Sequence, residues 1–209
     1  DYKKFEIGNI VREEILNSDI RETQFDKVDI IKILVLGGSQ AAKVFAEELP
    51  PVFEKLKKSG ILVKVYQQCQ SNQNDYLSQF YKKANIDFEI FNFTDNIINY
   101  YSKVNLVITR SGASVLGELI NFKLPFISVP LPSSADNHQY KNAEFYEKKG
   151  FGFSIDEKNI KNQLYNLMNS IFIDKTIIKK ILFNQRQYSD KNIFSNLDIQ
   201  LKKIINEKN

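Results

Sequence analysis

Apolar and polar positions along the chain alternate between two periods. Residues 30–36 form an almost unbroken run of branched apolar side chains closed by Gly37-Gly38-Ser39-Gln40, the pattern of a strand buried on both faces of a parallel sheet. Further runs of strand length occupy 61–66, 88–91, 105–108, 126–129 and 151–155. Between them the spacing turns helical: from Ala41, with a break expected at Pro50-Pro51 and a restart to Lys58, then over 75–84, 96–101, 114–122 and 137–149. Gly150 supplies the stop for the last of these. Residues 67–74 read as a polar loop. This regular alternation predicts right-handed crossovers and an α/β fold, a Rossmann-like doubly wound parallel sheet of about six strands.

The two ends of the chain follow other patterns. From Glu157 onward only helical spacing remains, marked by Ile160, Leu164, Leu167, Met168 and Ile171 and continued over 177–183 and 193–205. Residues 1–29 are polar and irregular, a linker with a short helix expected at 11–17. The predicted division is therefore a linker and first helix at 1–29, the doubly wound domain at 30–156 and a C-terminal helical segment at 157–209. The chain opens on Asp1 and its first strand starts only near Ile30, which leads us to expect a piece of a longer protein.

Composition narrows the function classes. With 209 residues, 43% hydrophobic and 26% charged, the chain can bury the core of one domain. No apolar run approaches the roughly 18 residues of a membrane span, and no secretory leader pattern opens the chain, so a cytoplasmic protein is expected. One cysteine, Cys69, and one histidine, His138, disfavour an internal disulfide and zinc chemistry. The net charge of +4 is spread as lysines mixed with carboxylates, so nucleic acid is not the expected partner.

In an open parallel sheet, ligands bind beyond the carboxyl ends of the strands. Two loops there suit an anion. Gly37-Gly38-Ser39 lets backbone approach closely and adds a hydroxyl, and Ser111-Gly112-Ala113 opens a helix whose unpaired N–H groups favour phosphate. The G-x-G-x-x-G fingerprint and any G-K-[ST] loop are absent, which disfavours nicotinamide, flavin and ATP chemistry. Glu118 lies four residues after Ser114 on the same helix face, set back from the phosphate site and able to accept from both hydroxyls of a ribose. Its plain alternative is an exposed glutamate paired with Lys123. Asp136 or Asn137 reads as a helix cap, with His138 and Gln139 in the first turn; an amide there can donate to one sugar hydroxyl and accept from another. For Gly37-Gly38 the plain alternative is a tight turn, and for His138 a surface side chain.

Together, Gly37-Gly38-Ser39-Gln40, Thr109-Arg110-Ser111-Gly112-Ala113 with Glu118, and Pro130-Leu131-Pro132 with His138-Gln139 and Lys141-Asn142-Ala143 resemble the carboxy-terminal, donor-binding half of the MurG-type peptidoglycan N-acetylglucosaminyltransferases of glycosyltransferase family 28. The resemblance runs from about Gly8 to Ile155. It implies one half of a two-domain GT-B enzyme that holds UDP-N-acetylglucosamine, uses no cofactor or metal, and transfers the sugar with inversion to lipid I, forming lipid II at the cytoplasmic face of the inner membrane. The general base, the acceptor site and the membrane contact are implied to lie on an amino-terminal half outside this chain. The resemblance assigns Arg12 and Ser39 to the diphosphate region, Thr94 to the uracil edge, Ala113, Ser114, Val115, Leu116, Gly117 and Glu118, after Gly112, to phosphate and ribose, and Gln139, beside His138, to the sugar hydroxyls. Departures from the family pattern are Ile10 for proline, Ala41 for glycine, Thr94 for isoleucine, and Tyr66-Gln67-Gln68-Cys69 for His-Gln-Thr-Gly. A separate catalytic subunit of a two-chain N-acetylglucosaminyltransferase, and a nucleotide-sugar-binding module without catalysis, remain as alternatives at this point.

Overall fold

The computed structural model describes residues 8–18, 28–38 and 43–206. Six parallel strands form one sheet: β1 (Ile31–Leu36), β2 (Val63–Gln68), β3 (Asp87–Phe91), β4 (Leu106–Thr109), β5 (Phe126–Ser128) and β6 (Phe153–Ser154). Their spatial order is β3-β2-β1-β4-β5-β6, the doubly wound arrangement expected from the alternation. The order reverses direction between β1 and β4, which pair in register from Ile33 opposite Leu106 to Leu36 opposite Thr109. At that reversal the connections leave β1 and β4 toward opposite faces, opening a crevice beyond their carboxyl ends.

The helices are α1 (Glu13–Leu16), α2 (Lys43–Lys58), α3 (Asn74–Lys83), α4 (Ile98–Tyr101), α5 (Ala113–Asn121), α6 (His138–Lys148), α7 (Ile160–Ile173), α8 (Thr176–Arg186) and α9 (Ile193–Asn206). Two apolar clusters cover the sheet. On one face, Ile33, Val35 and Ile108 meet Phe45, Leu49 and Phe53 of α2, joined by Leu164 and Met168 of α7 and Ile178 of α8. On the other, Leu34 and Val107 meet Leu116 and Ile120 of α5, with Ile15 of α1 and Tyr101 of α4. The helices after residue 157 therefore enter the core of the sheet domain through α7 and α8.

Two expectations are corrected. The break at Pro50-Pro51 does not occur, and α2 runs through both prolines. Proline's fixed φ is compatible with helix, and a buried face of Phe45, Leu49, Pro50, Val52, Phe53 and Leu56 holds the turns together across the missing N–H groups. The loop expected from Gln67 begins later, because β2 extends to Gln68 between paired neighbours on both sides. Gln67 is fully buried, and its side-chain oxygen accepts from the Tyr81 hydroxyl at 2.5 Å while its Nε2 has no partner among the described residues.

Candidate functional site

β4 passes through Arg110, Ser111 and Gly112 into α5. Gly112 is the N-cap residue, extended at φ −69° and ψ 136°, and as a glycine it has no side chain with which to cap the helix, so the first backbone N–H groups open toward the crevice between β1 and β4. Beside it, Gly37 and Gly38 follow β1. Gly38 has φ +78°, a conformation glycine adopts freely, and among the described residues nothing stands within 4 Å of where a Cβ would project. These two turns line a cleft of about 920 Å³ that also receives Gln68, Thr94, Glu118 and Gln139. Such a volume suits a ligand of nucleotide-sugar size.

Glu118 does not pair with Lys123, which is buried and donates instead to the Tyr188 carbonyl. Its carboxylate is held by Arg12, whose Nε donates to Oε1 at 2.8 Å and Nη2 to Oε2 at 3.0 Å. The Tyr101 hydroxyl also donates to Oε2, at 3.0 Å. The bond to Glu118 raises the Arg12 guanidinium pKa above its ordinary value. Burial, followed by the nearby Glu118 charge, pushes the Tyr101 phenol well up, so it remains a neutral donor. Arg12, which does not itself line the cleft, thus reaches from 106 residues away a carboxylate that does.

Gln139 is placed by two backbone donors. Its Oε1 accepts from Ser111 N at 3.2 Å and from Leu131 N at 3.0 Å, bridging the ends of β4 and β5. The oxygen must occupy that position, because an NH₂ group there would face two donors. The expectation that this amide both donates and accepts toward a sugar is therefore revised: the oxygen is committed to the protein, and Nε2 remains as donor. Asn142 Nδ2 reinforces the loop by donating to Ser111 O at 2.9 Å. The expected Asp136 or Asn137 side-chain cap is absent. Asn137 is the N-cap residue but sits at φ 54°, left-handed, after Asp136 at φ 49°, whereas side-chain capping uses an extended backbone. His138 is exposed, with Nδ1 2.8 Å from Ala135 O, and does not line the cleft.

The remaining expected residues divide. Thr94, Gly112 and Val115 line the cleft, and Thr94 Oγ1 accepts from Asn96 N at 3.1 Å. Ala113 and Ser114 are exposed on the first turn of α5. Leu116 and Gly117 face inward, Leu116 into the core and Gly117 against Asn9, because helical rotation carries them away from the face shared by Ser114 and Glu118. Ser39, like Ala41, lies outside the described residues.

Three cleft residues were given no role by the sequence. Tyr101 stood only as the end of the helix expected over 96–101, since nothing in its spacing signals a hydroxyl aimed at Glu118. Arg110 carried no assigned role despite standing in the quoted motif; its Nη1 donates to Val129 O at 3.2 Å, its Nη2 lies 2.5 Å from Glu157 Oε2, and its guanidinium lies 4.7 Å from the Phe45 ring centre. Lys43, at the start of α2, is an exposed cation on the cleft wall whose position was readable only once the Gly37-Gly38 turn was placed.

The segment that carries Arg12 is itself anchored. Asn9 donates from its backbone N to Asp190 Oδ1 at 3.1 Å and from Nδ2 to Asp190 Oδ2 at 3.0 Å, and its Oδ1 accepts from the Tyr146 hydroxyl at 2.8 Å. Asp190, buried, also accepts from Asn121 Nδ2 at 2.7 Å and from the Tyr188 hydroxyl at 2.8 Å.

Comparison with known proteins agrees with this architecture. Residues 32–199 match the model of the glycosyltransferase family 28 C-terminal domain. A Pelagibacter ubique protein named UDP-N-acetylglucosamine–N-acetylmuramyl-(pentapeptide) pyrophosphoryl-undecaprenol N-acetylglucosamine transferase is 34% identical over 216 residues, covering 98% of this chain and 59% of that protein. A Rickettsia bellii protein of the same name is 34% identical over 198 residues, covering 91% of this chain and 55% of its own length. Among solved structures, Acinetobacter baumannii MurG superimposes with a TM-score of 0.76 at 24% identity, over 90% of this chain and 55% of that one. The chain thus spans less than two thirds of the length of these relatives. On the family match and on the order of the strands around the cleft, this chain belongs to glycosyltransferase family 28 and carries its C-terminal domain.

Proposed function

We propose that this chain binds UDP-N-acetylglucosamine as the donor half of an inverting N-acetylglucosaminyltransferase whose acceptor is lipid I and whose product is lipid II. One observation carries the reading: the uncapped start of α5 and the Gly37-Gly38 turn share a single cleft with Glu118 and Gln139. The diphosphate lies on the backbone N–H groups at Gly112 and Ala113, where the helix dipole favours negative charge. Glu118 takes the ribose hydroxyls, the backbone around Thr94 reads the uracil edge, and Gln139 Nε2 donates to a sugar hydroxyl. Arg12 answers the diphosphate charge.

In the reaction, the muramyl C4 oxygen attacks the anomeric carbon as the bond from that carbon to the diphosphate oxygen breaks, and the hydroxyl proton passes to a base outside this chain. The contribution of this half is electrostatic: donors fixed in advance hold the leaving diphosphate more strongly as its charge grows, each contributing on the order of 3 kcal/mol in a preorganised site. The full enzyme would work at the cytoplasmic face of the inner membrane, with membrane contact outside this chain; among the described residues, no helix is long and apolar enough to cross a bilayer. Titration calorimetry of the chain with UDP-N-acetylglucosamine should show saturable binding, and the chain alone should not convert lipid I. Absence of donor binding would refute the reading, as would robust lipid II synthesis by the isolated chain.

A further inference from the structure

The Glu118 carboxylate has two oxygens and about four lone-pair positions. Three are taken: Arg12 Nε donates to Oε1 at 2.8 Å, Arg12 Nη2 to Oε2 at 3.0 Å, and Tyr101 to Oε2 at 3.0 Å. A ribose that donates both hydroxyls needs two positions, so one present donor has to leave. Tyr101 is 2% exposed and packed against Phe122, with no room to withdraw. Arg12 has a side chain 43% exposed and sits at the N-cap of the four-residue α1, so its guanidinium can swing while Asn9 keeps the backbone anchored.

A destination for it lies close by. Glu118 is five residues beyond Ala113, roughly 7.5 Å along the helix axis, which is within the sweep of an arginine side chain. The start of α5 is where the proposed function puts the diphosphate. A diphosphate offers the planar guanidinium another set of paired oxygen acceptors, with more charge than one carboxylate.

We propose that Arg12 is a specificity-determining residue that occupies the ribose-binding carboxylate until a diphosphate draws it away, so that the cleft selects nucleoside diphosphates over nucleosides. Uridine has to displace Arg12 and gives it nowhere to go. UDP supplies both the competitor for Glu118 and the new partner for Arg12. The inference rests on the donor-site reading above.

The test is calorimetry of the full chain and two variants, Arg12→Ala and Arg12→Lys, with uridine and with UDP. Arg12→Ala should bind uridine about 2–5-fold more tightly, the size of one partly exposed ion pair removed from competition. The same variant should bind UDP about tenfold or more less tightly, having lost a charge-assisted contact. Arg12→Lys loses the two-pronged grip on Glu118 but keeps a cation for the diphosphate, so it should gain on uridine and lose less on UDP than Arg12→Ala. Opposite signs for the two ligands support the gate. Uridine affinity unchanged or lowered in both variants overturns it, even where the unaltered chain binds UDP well. Failure of the unaltered chain to prefer UDP over uridine overturns the donor-site reading and the gate with it.

Discussion

Replacing Gln139 by glutamate or alanine separates its hold on the protein from its contact with the sugar. In the structure its Oε1 is shared by Ser111 N at 3.2 Å and Leu131 N at 3.0 Å. Gln139→Ala removes the acceptor from both. Ser111 is fully buried, so its orphaned N–H costs about 1–3 kcal/mol, while the half-exposed Leu131 N–H can find water and costs less. The sum is roughly 2–3 kcal/mol, a fall in Tm of about 4–12 °C for a domain of this size. Gln139→Glu keeps an oxygen for both donors, and a charged acceptor strengthens them, so its Tm should stay within a few degrees of the parent. That variant nevertheless loses the Nε2 donor and adds negative charge near the sugar, so UDP-N-acetylglucosamine should weaken more than UDP. Thermal unfolding followed by circular dichroism, with calorimetry on both ligands, reads the two effects separately. If the two variants melted alike, the bridging role of the oxygen would be refuted. If Gln139→Glu left the ratio of the two affinities untouched, the sugar contact would be refuted.

Three further outcomes are expected. Asp190→Ala leaves donors from Asn9, Asn121 and Tyr188 without an acceptor in a buried site and should cost about 3–5 kcal/mol, read as a lower urea midpoint; a loss below about 1 kcal/mol would show the network to be dispensable. Stability should fall as pH rises from 10 toward 12, because burial first and Asp190 second push the Tyr146 phenol up to about 12 while the unfolded chain ionises near 10. The folded state then binds more protons than the unfolded one, so stability is full below pH 10 and is lost through pH 12, by about 2–3 kcal/mol for this group; burial pushes Tyr188 up as well, and a urea midpoint flat across pH 9–11.5 would contradict both assignments. Gly117→Ala should destabilise despite the helix preference for alanine of up to about 1 kcal/mol, since the new Cβ would stand 2.9 Å from Asn9 Cβ and overpacking costs about 1–3 kcal/mol; a stabilised variant would mean that Asn9 moves freely.

The sheet was legible because its signal is local. Branched apolar runs, glycine stops and regular spacing are properties of neighbours in sequence, and they located all six strands. The continuous α2 was not legible, since the strength of a proline break depends on how firmly the flanking turns are packed, and that packing comes from the sheet and from α7. At the site, Glu118 and Gln139 could be picked out from helix phase. Their partners could not: Arg12 is 106 residues from Glu118, and Tyr101 shows a phenol donor without showing where it points. The direction of the Gln139 amide depended on two backbone donors from other loops, which no pattern within α6 encodes.

That distance dependence bears on what counts as the functional unit. The family match begins at residue 32, yet the carboxylate proposed for the ribose is held by a residue twenty positions earlier. Residues 8–18 belong physically to the site: Val11, Ile15 and Leu16 are buried in the cluster that contains Leu116, Leu119 and Tyr101. Gly117 lacks the Cβ that would keep Asn9 out, and Asp190, 181 residues from Asn9, closes over that segment from between α8 and α9. A length of chain that reads as linker by composition is thus fixed on both sides, by apolar burial against α5 and by a buried carboxylate beyond α8. The arrangement accounts for how an arginine on a four-residue helix, with little intrinsic stability of its own, can be set with hydrogen-bond accuracy opposite Glu118. Rigid backbone and movable side chain are the two properties a gate over the ribose site requires, and the segment supplies both.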